Sequence, residues 1–116
     1  MIHELQKWFQ KQCDGEWEHH QGITIETCDN PGWRVRIDLK GTKLENKPFE
    51  TVAKNLPQEF IDQALGLVKA PFACAAPSSP NWMICYVRDN IFTGAGDPSG
   101  LNGILEMFIA WAGRIE

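Results

Sequence analysis

The chain has 116 residues, 43% of them hydrophobic and 22% charged, which is enough to bury one core and predicts a single domain over residues 1–116. Its net charge of −4 argues against nucleic acid or an anionic membrane as a partner, because both require a basic patch. No apolar run is long enough to span a bilayer, and no secretory signal opens the sequence, so residence in the cytoplasm is expected.

The N-terminal third predicts a helix followed by a β-hairpin. Apolar side chains recur at helical spacing over residues 2–12, and Cys13-Asp14-Gly15 ends that helix. Residues 17–39 then alternate between apolar and polar side chains in two arms, as strands with one buried face do. The arms are joined at residues 29–32 by four strong turn formers, Asp-Asn-Pro-Gly.

The charges and the apolar side chains of this hairpin favour one register. If Ile25 lies opposite Val35, Ile23 meets Ile37 on the inner face. Glu26 then meets Arg34 on the outer face, so that core and charge are satisfied together. The inner face is expected to be covered by the helices from both chain ends.

The remaining elements complete an α+β fold, with about five antiparallel strands in meander-like order and the terminal helices on one face. An extra helix and loop are expected in the middle of the chain. Asp97 is expected to cap the last helix, with Pro98 at its first position. The other predictions are a strand over 49–53, a helix over 57–69, an irregular loop over 70–81, strands over 82–88 and 91–93, and a break at Gly94-Ala95-Gly96.

Several of these segments resemble a known family. LQKWFQKQCDGEWEH at 5–19 and GITIETCDNPGWRVRIDL at 22–39 are similar to the start of the immunity protein 53 family. The resemblance returns in WMIC at 82–85, DNIFTGAGDP at 89–98 and LNGILEMFIAW at 101–111. The middle, about 55–81, fits the family poorly, which is where the extra helix and loop are expected.

The resemblance implies a bacterial immunity protein of a polymorphic toxin system, which binds a cognate toxin domain and blocks it without catalysis. A monomer or weak homodimer is expected, with no cofactor and no metal. Many such toxins are nucleases with basic clefts, which an acidic inhibitor can occupy. An ordinary solvated sheet face, with its carboxylates paired to Arg34 and Arg36, is the alternative to a binding surface. The candidate partner-binding residues are Asp14, Glu16, Trp17, Glu18, Glu26, Asp29 and Phe72.

Two other functions stay open. One is a small cysteine-dependent sulfurtransferase, for which Cys28 before Arg34 and Cys85 before Arg88 are the candidates, although neither spacing is that of the rhodanese-like loop. Asp29 beside Cys28 would also raise the thiol pKa. The other is an interaction module without a toxin partner. The four cysteines are interpreted as small buried hydrophobic residues.

Overall fold

A computed structural model describes residues 1–28, 31–66 and 80–115 of the chain. Within these ranges the chain forms helices at both ends, with strands and a short helix between them. The helices are α1 (Ile2–Gln12), α2 (Trp17–His20), α3 (Gln58–Ala64) and α4 (Leu101–Ile115); the strands are β1 (Ile23–Cys28), β2 (Gly32–Asp38), β3 (Val52–Lys54), β4 (Met83–Arg88) and β5 (Ile91–Gly96).

The five strands form one antiparallel sheet in the order β1-β2-β5-β4-β3, which confirms the predicted α+β class. The order is not a strict meander, because the chain crosses from β2 to the far edge before β4 and β5 return to the centre. A two-residue turn joins β4 to β5, with Asp89 and Asn90 both in the left-handed region at φ 54° and 58°. Asp and Asn tolerate this conformation, which the right-handed twist of a tight hairpin requires.

The predicted hairpin register is confirmed: Ile25 lies opposite Val35, Ile23 opposite Ile37, and Glu26 opposite Arg34. The first arm, however, begins at Ile23 and not at Trp17. Residues 17–20 form α2, a single helical turn whose first N–H, that of Trp17, donates to the Asp14 carboxylate in the preceding loop at 2.9 Å. The expected strand over this segment is therefore wrong, because a local cap prevails over the weak alternation of its side chains.

Helices α1 and α4 pack on the same face of the sheet, as predicted for the terminal helices. Val35, Ile37 and Phe92 of the sheet and Ile104 and Phe108 of α4 are fully buried in this layer. The expected break at Gly94-Ala95-Gly96 is wrong, since β5 continues to Gly96. A Cβ at Gly94 would overlap the side chain of Ile104, so glycine lets α4 lie close against the strand.

The opposite face of the sheet carries a smaller core beneath α3, formed with Trp82, Ile84 and Ala95. Helix α3 ends at Ala64, earlier than predicted, and Gly66 follows at φ +74°. The rest of the predicted helix and the loop to residue 79 lie outside the described residues.

Two further bounds differ from the predictions. The third strand starts at Val52, and the ring of Phe49 before it packs against the core, 5.5 Å from that of Phe92 and 5.1 Å from that of Trp111. Helix α4 starts at Leu101 and not at Pro98. The Asp97 carboxylate instead braces the preceding turn, accepting hydrogen bonds from the N–H groups of Ser99 (3.2 Å) and Asn81 (2.7 Å).

Candidate protein-binding surface

Three carboxylates lie close together in sequence, two in the link between α1 and α2 and one in α2 itself; we call Asp14, Glu16 and Glu18 the acidic corner. The Asp14 carboxylate accepts hydrogen bonds from the N–H groups of Glu16 and Trp17, both at 2.9 Å. The Glu18 carboxylate reaches back to the N–H groups of Asp14 (3.0 Å) and Gly15 (2.8 Å). This reciprocal capping fixes the loop, and Gly15 supplies the φ of +93° that its turn requires.

Hydrogen bonds from backbone N–H groups favour the charged forms of Asp14 and Glu18. They lower the pKa of Asp14, chiefly through the N–H of Trp17, and the pKa of Glu18, chiefly through its own N–H. Glu16 is exposed, and its carboxylate has no partner among the described residues. Within the described ranges none of the three forms an ion pair with a basic side chain, so the corner presents uncompensated charge to a partner.

Trp17, one of the predicted contact residues, is buried, with only 6% of its surface exposed. Its indole N–H donates to the carbonyl of Lys40 at 2.9 Å. Its ring meets that of Trp8 edge to face, with centroids 6.1 Å apart. Trp17 therefore anchors the acidic corner to the core from within.

The negative charge of the acidic corner does not continue along the hairpin. Glu26 lies on the outer face of β1 and pairs with Arg34, at 2.8 Å from Nε and 2.6 Å from Nη2. By strand alternation Arg36 and Asp38 share that face, so opposite charges balance there. Asp29 and Phe72, the other two predicted contact residues, lie outside the described residues.

A feature that the sequence analysis missed is the free edge of β1, which is paired only with β2 within the described ranges. The N–H of Asp38 donates to the carbonyl of Gly22 at 3.0 Å, which sets the direction of the backbone groups along the strand. Because the direction alternates from one residue to the next, the N–H and C=O groups of Thr24 and Glu26, like those of Gly22, point towards β2. The N–H and C=O groups of Ile23, Ile25 and Thr27 consequently point away from the sheet; we call these three residues the β1 edge.

An apolar groove runs beside the β1 edge, between α1 and β1, with a volume of about 340 Å³. Its walls include two of the most exposed large apolar side chains among the described residues, Ile2 (56%) and Ile25 (37%). The terminal helices were expected to cover Ile25, but α1 leaves it partly open. The groove is lined by Ile2, Leu5, Gln6, Phe9, Ile23 and Ile25.

The groove and the acidic corner adjoin. Phe9 lines the groove, and its ring lies 5.9 Å from that of Trp17, the residue between Glu16 and Glu18. The surface around β1 thus combines unpaired backbone groups, an apolar groove and negative charge at one end. Such a combination suits the binding of another polypeptide.

Comparison with known proteins identifies the family. The family model described as Immunity protein 53 matches residues 2–113. The chain belongs to the immunity protein 53 family. Comparisons with curated proteins and with solved structures give no match. The match spans nearly the whole chain, including the middle segment, and membership of the immunity protein 53 family implies an immunity role.

Two cysteines of this immunity protein 53 family member, Cys13 and Cys85, lack the lowered pKa of a nucleophilic thiol. Cys85 is fully buried, and burial raises its pKa to about 12. Cys13 is exposed, but desolvation and then the charges of Glu18 and Asp14 raise its pKa as well. Both thiols therefore stay protonated at neutral pH, whereas a nucleophilic cysteine needs a lowered pKa. Cys74 lies outside the described residues.

The described residues of this family member also hold no group of three His, Cys, Asp or Glu side chains arranged to bind a metal ion. His19 and His20 lie in the short helix α2. Within the described ranges none of the helices has the length and apolar character needed to cross a membrane.

Proposed function

We propose that the chain binds the toxin domain cognate to it and neutralises it by covering its working surface, without a reaction of its own. The observation that carries this proposal is the match to the immunity protein 53 family over residues 2–113. We further propose that it does so in the cytoplasm of the cell that makes the toxin. The raised pKa values of Cys13 and Cys85 give no reason to prefer a thiol enzyme.

We propose the acidic corner as the part of the surface that attracts the toxin. Asp14, Glu16 and Glu18 carry three negative charges within five residues on a chain whose net charge is −4. A toxin domain with a basic surface, such as a nuclease cleft, would be steered towards this corner, and its association would be accelerated. Asp29 and Phe72 stay predictions, as does a contact through Glu26.

Coexpression tests the proposal as a whole. The toxin domain encoded next to this chain's gene is expressed in cells with and without the chain, and the purified pair is titrated by calorimetry. We expect survival only in the presence of the chain, and a complex of one to one stoichiometry. Cells that die equally in both cases, together with no heat of binding, would contradict the proposed function.

A charge reversal tests the role of the acidic corner. Glu16→Lys is the suitable variant, because the Glu16 side chain makes no hydrogen bond within the described residues, whereas Asp14 and Glu18 brace the loop. We expect its association rate with the toxin to fall at least about threefold at low salt, and the difference to shrink as salt is added. Stopped-flow fluorescence measures both.

The matched control is Glu59→Lys, which makes the same change of charge at an exposed position of α3. Its association rate is expected to match that of the parent, apart from the small effect of net charge. Equal slowing by the two variants would mean that net charge alone steers the toxin, and the assignment of the acidic corner would fail.

A further inference from the structure

The free edge of β1 and the groove beside it indicate how the toxin domain could be bound. We propose that an extended segment of the toxin domain adds to the sheet as a strand along β1, with its apolar side chains in the groove. This proposal rests on the proposed function, because it names the way in which the toxin is held.

The backbone of β1 offers the first part of the site. The outward N–H and C=O groups of Ile23, Ile25 and Thr27 recur at every second residue, the spacing at which an antiparallel strand presents its own. Within the described residues no hydrogen bond engages these groups from outside the sheet. An added strand would satisfy them, and such main-chain bonds provide affinity in known cases of strand addition.

The groove offers the second part, which selects the side chains of the segment. Ile23 and Ile25 face the same side of the sheet as α1, so every second residue of an added strand would face α1 as well. Those residues would meet Ile2 and Phe9, which line the groove. The segment is therefore expected to alternate, with apolar residues towards α1 and polar residues towards Thr24 and Glu26.

Charge selects a toxin segment over a second copy of this chain. Phe9 of the groove contacts Trp17, which lies between Glu16 and Glu18 in the chain, so a lysine or arginine at that end of the segment would be attracted by the acidic corner. Two copies paired along β1 would each bring an acidic corner and a net charge of −4 to the interface. Repulsion between like charges opposes that pairing, whereas a basic toxin domain complements it.

Two variants of the edge, and one control, test the proposal against the toxin domain encoded next to this chain's gene. Ile25→Lys places a charge in the groove, and Thr27→Pro removes an outward N–H without removing a hydrogen bond to β2. Ala53→Lys is the matched control, because Ala53 is exposed and lies on β3, at the opposite edge of the sheet. Thermal melting establishes that each variant folds.

We expect Ile25→Lys and Thr27→Pro each to weaken toxin binding at least about 30-fold, and Ala53→Lys to change it by less than about threefold. If Ile25→Lys does not fold, Thr27→Pro decides alone, since it keeps every apolar side chain. Unchanged affinity of both folded edge variants for a toxin that the parent neutralises would overturn the strand addition and leave the proposed function intact. A parent that does not bind the toxin at all would overturn both.

Sedimentation equilibrium of the parent alone tests whether a second copy of the chain occupies the β1 edge. We expect a monomer at micromolar concentration. A dimer that Ile25→Lys dissociates would mean that a second copy takes the β1 edge, and this would overturn the proposal.

Discussion

The two edges of the sheet differ in how they are protected. Strand β3, at one edge, is three residues long and carries exposed Lys54 at its end. Asn55 then turns the chain at φ +53°, two residues before Pro57. Strand β1 is six residues long, without lysine or proline, and it borders an apolar groove. Sheets in natural proteins usually carry short strands, lysine or proline at their edges to prevent unwanted pairing. Strand β1, which lacks these features, is the edge at which we propose that the toxin segment pairs.

The largest effect on stability is expected from a substitution in the core, on which both edges of the sheet depend. Phe108 is fully buried, and its ring lies 5.0 Å from that of Trp8 and 5.1 Å from that of Phe92. Phe108→Ala should lower the free energy of unfolding by about 3–5 kcal/mol, measured by urea denaturation. Ala110→Ser, at an exposed position of the same helix, should stay within about 0.5 kcal/mol. A loss below about 1 kcal/mol for Phe108→Ala would contradict the described core.

A smaller effect is expected from loosening only the end of the sheet at which β1 begins. Trp17→Phe keeps a ring against Trp8 but loses the hydrogen bond to the carbonyl of Lys40. The free energy of unfolding should fall by about 1–2 kcal/mol. Hydrogen exchange should accelerate in residues 14–20 and leave β4 and β5 unchanged. Uniform acceleration across the sheet would mean that Trp17 supports the whole core and not this corner.

The outer face of β1 should contribute little to stability, in contrast to its inner face. Glu26 and Arg34 form an ion pair whose side chains are 42% and 37% exposed, and exposed pairs are weak. Glu26→Gln should therefore lower the free energy of unfolding by about 1 kcal/mol at most, as read from urea denaturation. A loss above about 2 kcal/mol would show that this pair holds the register of the hairpin.

The smallest expected effect concerns pH at the acidic corner. Hydrogen bonds lower the pKa values of Asp14 and Glu18 below their ordinary values of 3.8 and 4.5. Their contribution to stability is complete above those ordinary values and is lost as the pH falls through the lowered ones. Melting temperature should consequently decrease on acidification, and less steeply in a variant with Asp14→Asn and Glu18→Gln. Parallel pH profiles for the variant and the parent would contradict the capping bonds.

The sequence predicted those parts of the fold that depend on local or adjacent residues. The bounds of α1 follow from the spacing of its apolar side chains, and the hairpin register follows from matching Glu26 to Arg34. The continuation of β5 through Gly94 could not be predicted, because its reason is the side chain of Ile104 on another element. The burial of Trp17 likewise depends on a carbonyl 23 residues away.

The candidate site was predicted only in part, for a related reason. The sequence shows the acidic corner as three carboxylates within five residues. The hydrogen bonds by which Asp14 and Glu18 cap this loop were not predicted, because the segment was interpreted only as a helix end. The β1 edge was not visible, since a strand lies at an edge only because of the order of all five strands. In this protein β3 lies at the opposite edge of the sheet from β1. The sequence of the connection between β2 and β3 contains no pattern that predicts this position.

Hydrogen exchange of the parent bound to its toxin compares the two edges directly. The account predicts that the amides of Ile23, Ile25 and Thr27 become protected on binding, because they point away from β2 and acquire partners from the added strand. The amides of Val52, Ala53 and Lys54, at the other edge, should exchange as in the free protein. Protection of the β3 amides, with those of Ile23, Ile25 and Thr27 unchanged, would contradict it.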